Sequence, residues 1–158
     1  MGFYQVIRTQ KIPADLDMVW DFISAPENLK KITPASMGFE ITSGGNNQEM
    51  YEGMIISYRV RPILNINTTW VTEITHIKPQ TYFIDEQRVG PYKMWHHEHQ
   101  LEKIEGGVLM TDIVSYQPPF GWIGNLANTL IIRKKLQAIF DYRTLALEEI
   151  FGKWEKSD

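Results

Sequence analysis

Between Phe39 and Gln117 the apolar residues of this chain recur at every second position, in runs separated by very short breaks. A period of two puts alternate side chains on opposite faces of an extended strand, so this stretch is committed to a sheet. The runs are Phe39–Thr42, Met50–Arg61, Ile66–Ile77, Tyr82–Val89, Tyr92–Ile104 and Val108–Gln117. In the second, Met54, Ile56, Tyr58 and Val60 share a face; in the third, Ile66, Thr68, Trp70, Thr72 and Ile74 do. The breaks are Gly44-Gly45-Asn46-Asn47, Lys78-Pro79-Gln80, Gly90-Pro91 and Gly106-Gly107. Connections that short join antiparallel neighbours, because a parallel crossover needs a dozen residues or more.

The flanks change period. Residues 3–12 read as a first strand. Pro13-Ala14-Asp15 then opens a helix to about Ser24, with Leu16, Val19, Trp20 and Ile23 on one side, and Pro26 starts a second short helix, Glu27–Ile32. After Pro118-Pro119-Phe120-Gly121 a long helix is predicted from about Gly124 to Lys153, its apolar stripe being Leu126, Leu130, Leu136, Phe140, Leu147 and Ile150. A sheet with one apolar face must be covered, and only this helix is long enough to cover it. The expected fold is α+β: a curved antiparallel sheet of about seven strands around a C-terminal helix, with two short helices after the first strand. No linker, charge block or repeat divides residues 1–158, which are expected to form one domain.

Charge and composition exclude several classes. A net charge of −3 argues against phosphate-backbone binding, and Arg133-Lys134-Lys135 reads as a solvated helix face. With no cysteine there is no disulfide framework, thiol nucleophile or thiolate metal site, which suits a reducing cytoplasm. No signal peptide or membrane insertion is expected, and Val6 breaks the myristoylation pattern begun by Met1-Gly2. Aromatic residues make up 12% of the chain, including five Trp, and suit a cavity for an apolar or aromatic ligand.

One sheet face combines Phe83, Asp85, Gln87, Trp95, His97, His99, Asp112 and Tyr116. Large rings mixed with carboxylates and imidazoles resemble a pocket wall more than a core. If Gly106-Gly107 is the two-residue turn, Leu101 faces Asp112, His99 faces Val114 and His97 faces Tyr116. Keeping Trp95 and Gln87 on one face sets Asp85 opposite His97 and requires a three-residue connection or bulge at Gly90-Pro91. Asp85, His97 and Tyr116 would then form a row about 5 Å between neighbours. In one reading Asp85 fixes the tautomer of His97, which polarises a ligand oxygen or exchanges a proton with it. In the other, the row is a buried polar network that satisfies itself. His97 and His99 are also spaced to chelate a metal with Asp85 or Asp112. The crowd of Trp and Phe and the lack of Cys or HExxH weigh against it, so no metal is expected. His96, Glu98 and Gln100 should face outward. Arg143 either pairs beneath the sheet with Asp112 or a ligand carboxylate through a bidentate fork, or snorkels to solvent; Arg133 is expected to reach solvent. Tyr58, Trp70, Phe83, Trp95 and Met110 would supply the apolar wall. Residues 118–124 would be either a lip at the cavity mouth or a hinge tucking Phe120 and Trp122 against the sheet.

Several segments together resemble one family. They are Pro26-Glu27-Asn28-Leu29, Glu52-Gly53, Tyr58, Trp70, Asp85-Glu86-Gln87, Gly90-Pro91-Tyr92 and Trp95-x-His97-x-His99, followed by Thr111-Asp112, Tyr116, Pro119-Phe120-Gly121 and Ile139-Phe140-Asp141-Tyr142-Arg143. In this order they are similar to the START/SRPBCC superfamily, which includes the major birch pollen allergen and aromatic polyketide cyclases, and within it to bacterial ligand-binding SRPBCC domains. The resemblance implies a helix-grip fold and a small hydrophobic partner such as a lipid, polyketide-like or isoprenoid compound. It also allows a cyclase or dehydratase with His97 as general acid or base beside Asp85 and Tyr116, or an interaction module with a collapsed interior. No phosphate loop, GxSxG elbow or dinucleotide fingerprint is present, and no cofactor is expected.

Overall fold

The computed structural model describes residues 2–44, 49–61, 66–121, 123, 126 and 131–155. β1 (Tyr4–Ile12) leads into helix α1 (Leu16–Ile23) and two 3-10 segments, Pro26–Ile32 and Ala35–Met37. Then come β2 (Glu40–Ser43), β3 (Ile55–Val60), β4 (Thr68–Lys78), β5 (Tyr82–Val89), β6 (Met94–Ile104) and β7 (Gly107–Gln117), and helix α2 (Arg133–Phe151) closes the chain. The strands form one antiparallel sheet in the order β1-β7-β6-β5-β4-β3-β2. The sequence-based architecture is therefore the observed one: a curved sheet, a C-terminal helix, short helices after the first strand. Among the described residues no helix is long and apolar enough to cross a membrane.

Alternation decides which faces turn inward. Met54, just before β3, and Ile56, Tyr58 and Val60 within it are all buried, as are Val108, Met110, Asp112, Val114 and Tyr116 of β7. The sheet bends at irregularities in the β4–β5 ladder, between Val71 and Thr72 and again between Ile74 and His76. Such bulges add twist and curl a sheet into a trough. Helix α2 lies along that trough with Leu136, Phe140, Arg143 and Leu147 buried, a spacing of three and four that keeps one face on the sheet. It is also tied to β1, where Gln10 Nε2 donates to the Thr144 carbonyl at 3.0 Å and Arg8 pairs with Asp141 at 3.2 Å.

The helix departs from expectation at its ends. Leu126 and Ile150 are exposed and do not belong to the packed stripe, and the helix stops at Phe151. Leu130, the predicted start at Gly124, Trp122 and the turn residues Gly45-Asn46-Asn47 lie outside the described residues. Phe120, 80% exposed, is not tucked against the sheet.

Two turns correct the predicted registers. The β6–β7 hairpin pairs Ile104 with Gly107, so its loop is Glu105-Gly106 and not Gly106-Gly107. Gly106 takes φ +82°, a left-handed conformation that glycine adopts without steric cost. This one-residue move slides every β6 partner by two along β7: His97 faces Val114, His99 faces Asp112 and Trp95 faces Tyr116. Inward residues stay inward, but the predicted row through Tyr116 does not exist. On the other side, Asp85 does face His97. The β5–β6 connection spans residues 90–93, wider than three, and the ladder ends at Glu86–His96. Gln87 braces this turn, donating from Nε2 to the Tyr92 carbonyl at 2.7 Å and accepting the Tyr92 N–H at 3.2 Å. A Cβ on Gly90 would lie 2.3 Å from the Gln87 amide oxygen, so glycine is what lets that side chain fold across the turn.

Leu147, fully buried between helix and sheet, tests this packing. Leu147→Ala is expected to lower the unfolding free energy by about 2–5 kcal/mol in urea denaturation, whereas Ile150→Ala should change it by less than about 0.5 kcal/mol.

Candidate functional site

A cavity of about 170 Å³ lies between sheet and helix. Its sheet wall carries Tyr58, Trp70, Thr72, Phe83, Asp85, Trp95, His97, His99 and Met110; α2 contributes Lys135, Leu136, Ile139, Phe140 and Arg143. Phe22, Ile23, Leu29 and Ile32 close it from α1 and the first 3-10 segment. The lining is mostly hydrocarbon and aromatic ring, and its carboxylate and imidazoles come from adjacent strands β5 and β6.

Those polar groups form one network, and strand geometry explains its connections. His99 and Asp112 are direct cross-strand partners, and His99 Nδ1 lies 3.0 Å from Asp112 Oδ1. His97 reaches the same oxygen diagonally, with Nε2 at 2.8 Å. A diagonal neighbour in a twisted antiparallel pair is within range of a ring side chain. Asp85 behaves alike toward β6. It faces His97, whose Nδ1 is 3.6 Å away, yet its hydrogen bond goes diagonally to His99 Nε2 at 2.9 Å. Thr72 Oγ1 donates to the other Asp85 oxygen at 3.3 Å. From α2, Arg143 Nη1 donates to Asp112 Oδ1 at 3.2 Å, with the guanidinium 5.0 Å from the Phe140 ring centroid. Phe83 stacks on His99 with centroids 4.1 Å apart.

Burial and charge set the protonation states. Asp112 is 2% exposed. Burial pushes its carboxyl up, but the Arg143 charge and the hydrogen bonds from His97 and His99 outweigh this and hold it well below the ordinary range. Asp85 is likewise raised by burial and more strongly lowered by His99, His97 and Thr72. The imidazoles split. Burial and the neighbouring His99 lower His97 despite its bond to Asp112. For His99 burial also opposes the charge, but hydrogen bonds to Asp112 and Asp85 prevail and raise it. A neutral His97 beside a protonated His99 gives each carboxylate a donor. With Arg143, two cations then face two anions, and the buried network carries no net charge.

Several expected site residues are placed differently. Tyr116 is buried in a ring cluster with Tyr92, Tyr4 and Trp95, and it is not part of the cavity lining. Gln87 also falls outside the lining because it holds the 90–93 turn. Asp112 faces inward but stands behind the imidazoles, so it supports the wall without forming it. Arg143 pairs with Asp112 as one alternative foresaw, but through one nitrogen and not a fork. Arg133 is exposed, and His96 stays on the outer face, 2.8 Å from Glu86. Sequence reasoning missed Tyr92, Thr72 and Lys135 as lining residues. Thr72 shared its inward parity with Trp70 and Ile74, and Lys135 precedes the lining residue Ile139 by one helical turn. Tyr92 gave no such signal, since it belongs to the turn.

Comparison with known proteins now adds a family. Residues 12–140 match the model described as polyketide cyclase / dehydrase and lipid transport. The chain belongs to this family. Solved structures agree on the fold. A protein from Chromobacterium violaceum superposes with a TM-score of 0.70 at 10% identity, covering 95% of this chain and 99% of that one. A Rhizobium leguminosarum protein gives 0.68 at 15% identity, covering 94% and 96%. A major latex-like protein from Panax ginseng gives 0.66 at 12% identity, covering 94% and 97%. No curated protein matches the sequence. Family membership together with this helix-grip fold supports a role in binding a hydrophobic ligand.

The opposite shifts of the two imidazoles have a measurable consequence. The unfolded chain takes up a proton on His97 below its ordinary value of 6.5, and the folded protein does so only at lower pH, so stability falls on acidification. His99 holds its proton above 6.5 when folded, so its contribution is lost as pH rises through its raised value. In EDTA-containing buffer the melting temperature is expected to peak near pH 6.5. His97→Gln should flatten the acid side of that peak and His99→Gln the alkaline side.

Proposed function

We propose that this protein binds one compact, mainly apolar molecule in the cavity, with an oxygen-bearing end turned toward Asp85, His97, His99 and Arg143. The observation that carries this reading is the uneven lining. Rings and aliphatic groups surround the space, and the ionisable groups of β5 and β6 gather on one side of it. Water in an apolar space has few partners, whereas a ligand ring regains dispersion contacts. An apolar cavity of roughly 150 Å³ accepts a single aromatic ring, and this one is of that order, about 170 Å³. The size favours an aromatic, polyketide-like or isoprenoid ring over a long acyl chain, which would require the cavity to widen. Arg143 supplies a ready donor: its buried Nε has no hydrogen-bond partner among the described residues.

A second reading, a cyclase or dehydratase, is favoured by one feature. His97 is fixed through Nε2 by Asp112 and lines the cavity, with burial holding it neutral and able to accept a proton at Nδ1. Tyr116, off the lining, has no part in that reading. The interaction-module alternative needs a collapsed interior and is not supported by this cavity.

Native mass spectrometry of protein from its own host is expected to show one small-molecule adduct per chain. Titration with 2-naphthol should quench Trp70 and Trp95 fluorescence at a single saturable site, and Met110→Trp, which fills the space, should abolish the quenching. A bare mass together with no saturable quenching would defeat the binding reading. His97→Ala separates the two readings once the ligand is known: a binding protein loses affinity only modestly, and an enzyme loses turnover while still binding.

A further inference from the structure

We propose that Asp85, His97 and His99 form a binding site for one divalent first-row transition-metal ion, with Asp112 as the group that orients both imidazoles. This goes beyond the apolar-ligand reading and does not depend on it. It also revises the sequence-based expectation of no metal, which weighed the surrounding rings without knowing how the donors point.

The geometry fits in two shells. One donor atom from each of the three residues lies within 4.8 Å of the others. His99 Nε2 is 2.9 Å and His97 Nδ1 3.6 Å from Asp85 Oδ2. Around an ion with bonds of about 2.0–2.2 Å, neighbouring ligand atoms stand roughly 3–3.6 Å apart, so small side-chain adjustments suffice. The ring nitrogens opposite these donors, His97 Nε2 and His99 Nδ1, both meet Asp112 Oδ1, at 2.8 and 3.0 Å. A metal-binding histidine usually donates its second N–H to a carboxylate, which fixes the tautomer and aims the free lone pair at the ion. Here one carboxylate does this for two rings and is itself held by Arg143 at 3.2 Å. Thr72 similarly steadies Asp85 through its other oxygen.

Charge and access agree with the geometry. Metal binding displaces the extra His99 proton, and the two carboxylates and one guanidinium that remain leave a net negative charge for the cation to balance. The ion replaces the hydrogen between His99 Nε2 and Asp85 Oδ2. Two imidazoles and one carboxylate form the ligand set of open transition-metal sites. The three donor residues line the cavity and Asp112 does not, so the remaining coordination positions open onto the cavity. His96, near Glu86 and Glu98 on the outer face, is the competing surface site and provides the control.

Untagged protein, stripped with chelator and dialysed, is titrated with Co2+ and followed by visible absorption, with Zn2+ binding measured by calorimetry. The expected result is one ion per chain with a Kd of about 1 μM or tighter. Asp85→Asn and His99→Gln should abolish it, Asp112→Asn should weaken it about 10–100-fold, and His96→Gln should leave it unchanged. Near-UV circular dichroism confirms that each variant keeps its fold. X-ray absorption of the Zn2+-loaded wild type reads the ligands without any substitution and should show two imidazoles. No stoichiometric binding, binding indifferent to Asp85 and His99, loss in His96→Gln, or a shell with one imidazole each overturns the site.

Discussion

Asp112 is the interaction on which this structure turns. Its Oδ1 receives His97 and His99 from β6 and Arg143 from α2, while its own strand, β7, carries it at 2% exposure. A carboxylate that deeply buried is tolerated only with compensating charge and hydrogen bonds, and removing one partner of such a buried pair costs about 3–5 kcal/mol. The arrangement therefore fixes more than charge. It sets the height of α2 over the trough through Arg143, and it sets the rotation of both rings. A helix gripped by a sheet through apolar contact alone could slide; this one is pinned at a specific oxygen.

The cavity follows from the same constraint. Bulges in β4–β5 curl the sheet into a trough, and α2, held by Arg143, spans that trough without filling it. Side chains of Trp70, Phe83, Trp95 and Phe140 narrow the gap without filling it. Close packing is the rule for interiors, so a void of about 170 Å³ beside buried ionisable groups is a departure that function can account for.

Much of the fold was legible because parity survives errors of register. Whichever residues form the β6–β7 loop, Trp95, His97 and His99 share a face, and that face needs cover. Loop chemistry was harder to read. With two adjacent glycines, sequence alone could not say which would take the left-handed place, and the choice of Gly106 moved Asp112 beneath His99 and took Tyr116 out of the polar row. Gln87 was misplaced for a related reason. It has inward parity, but the strand pair ends at Glu86–His96, and beyond that point its amide serves the turn. Contacts made diagonally or through a helix, such as Asp112 with His97 and Arg143, are invisible to pairing rules based on direct opposition.

The parting of β5 and β6 after Glu86–His96 has a mechanical meaning. Each strand keeps its other neighbour, so the sheet is slit at this end without being frayed. The slit is bridged by the Gln87 amide, with the interlocked rings of Tyr92, Trp95 and Trp70 alongside. Among the described residues, this stretch of the β5–β6 boundary is closed by side chains instead of a ladder, so its opening would cost the Gln87 bridge and ring contacts while each strand keeps its other neighbour.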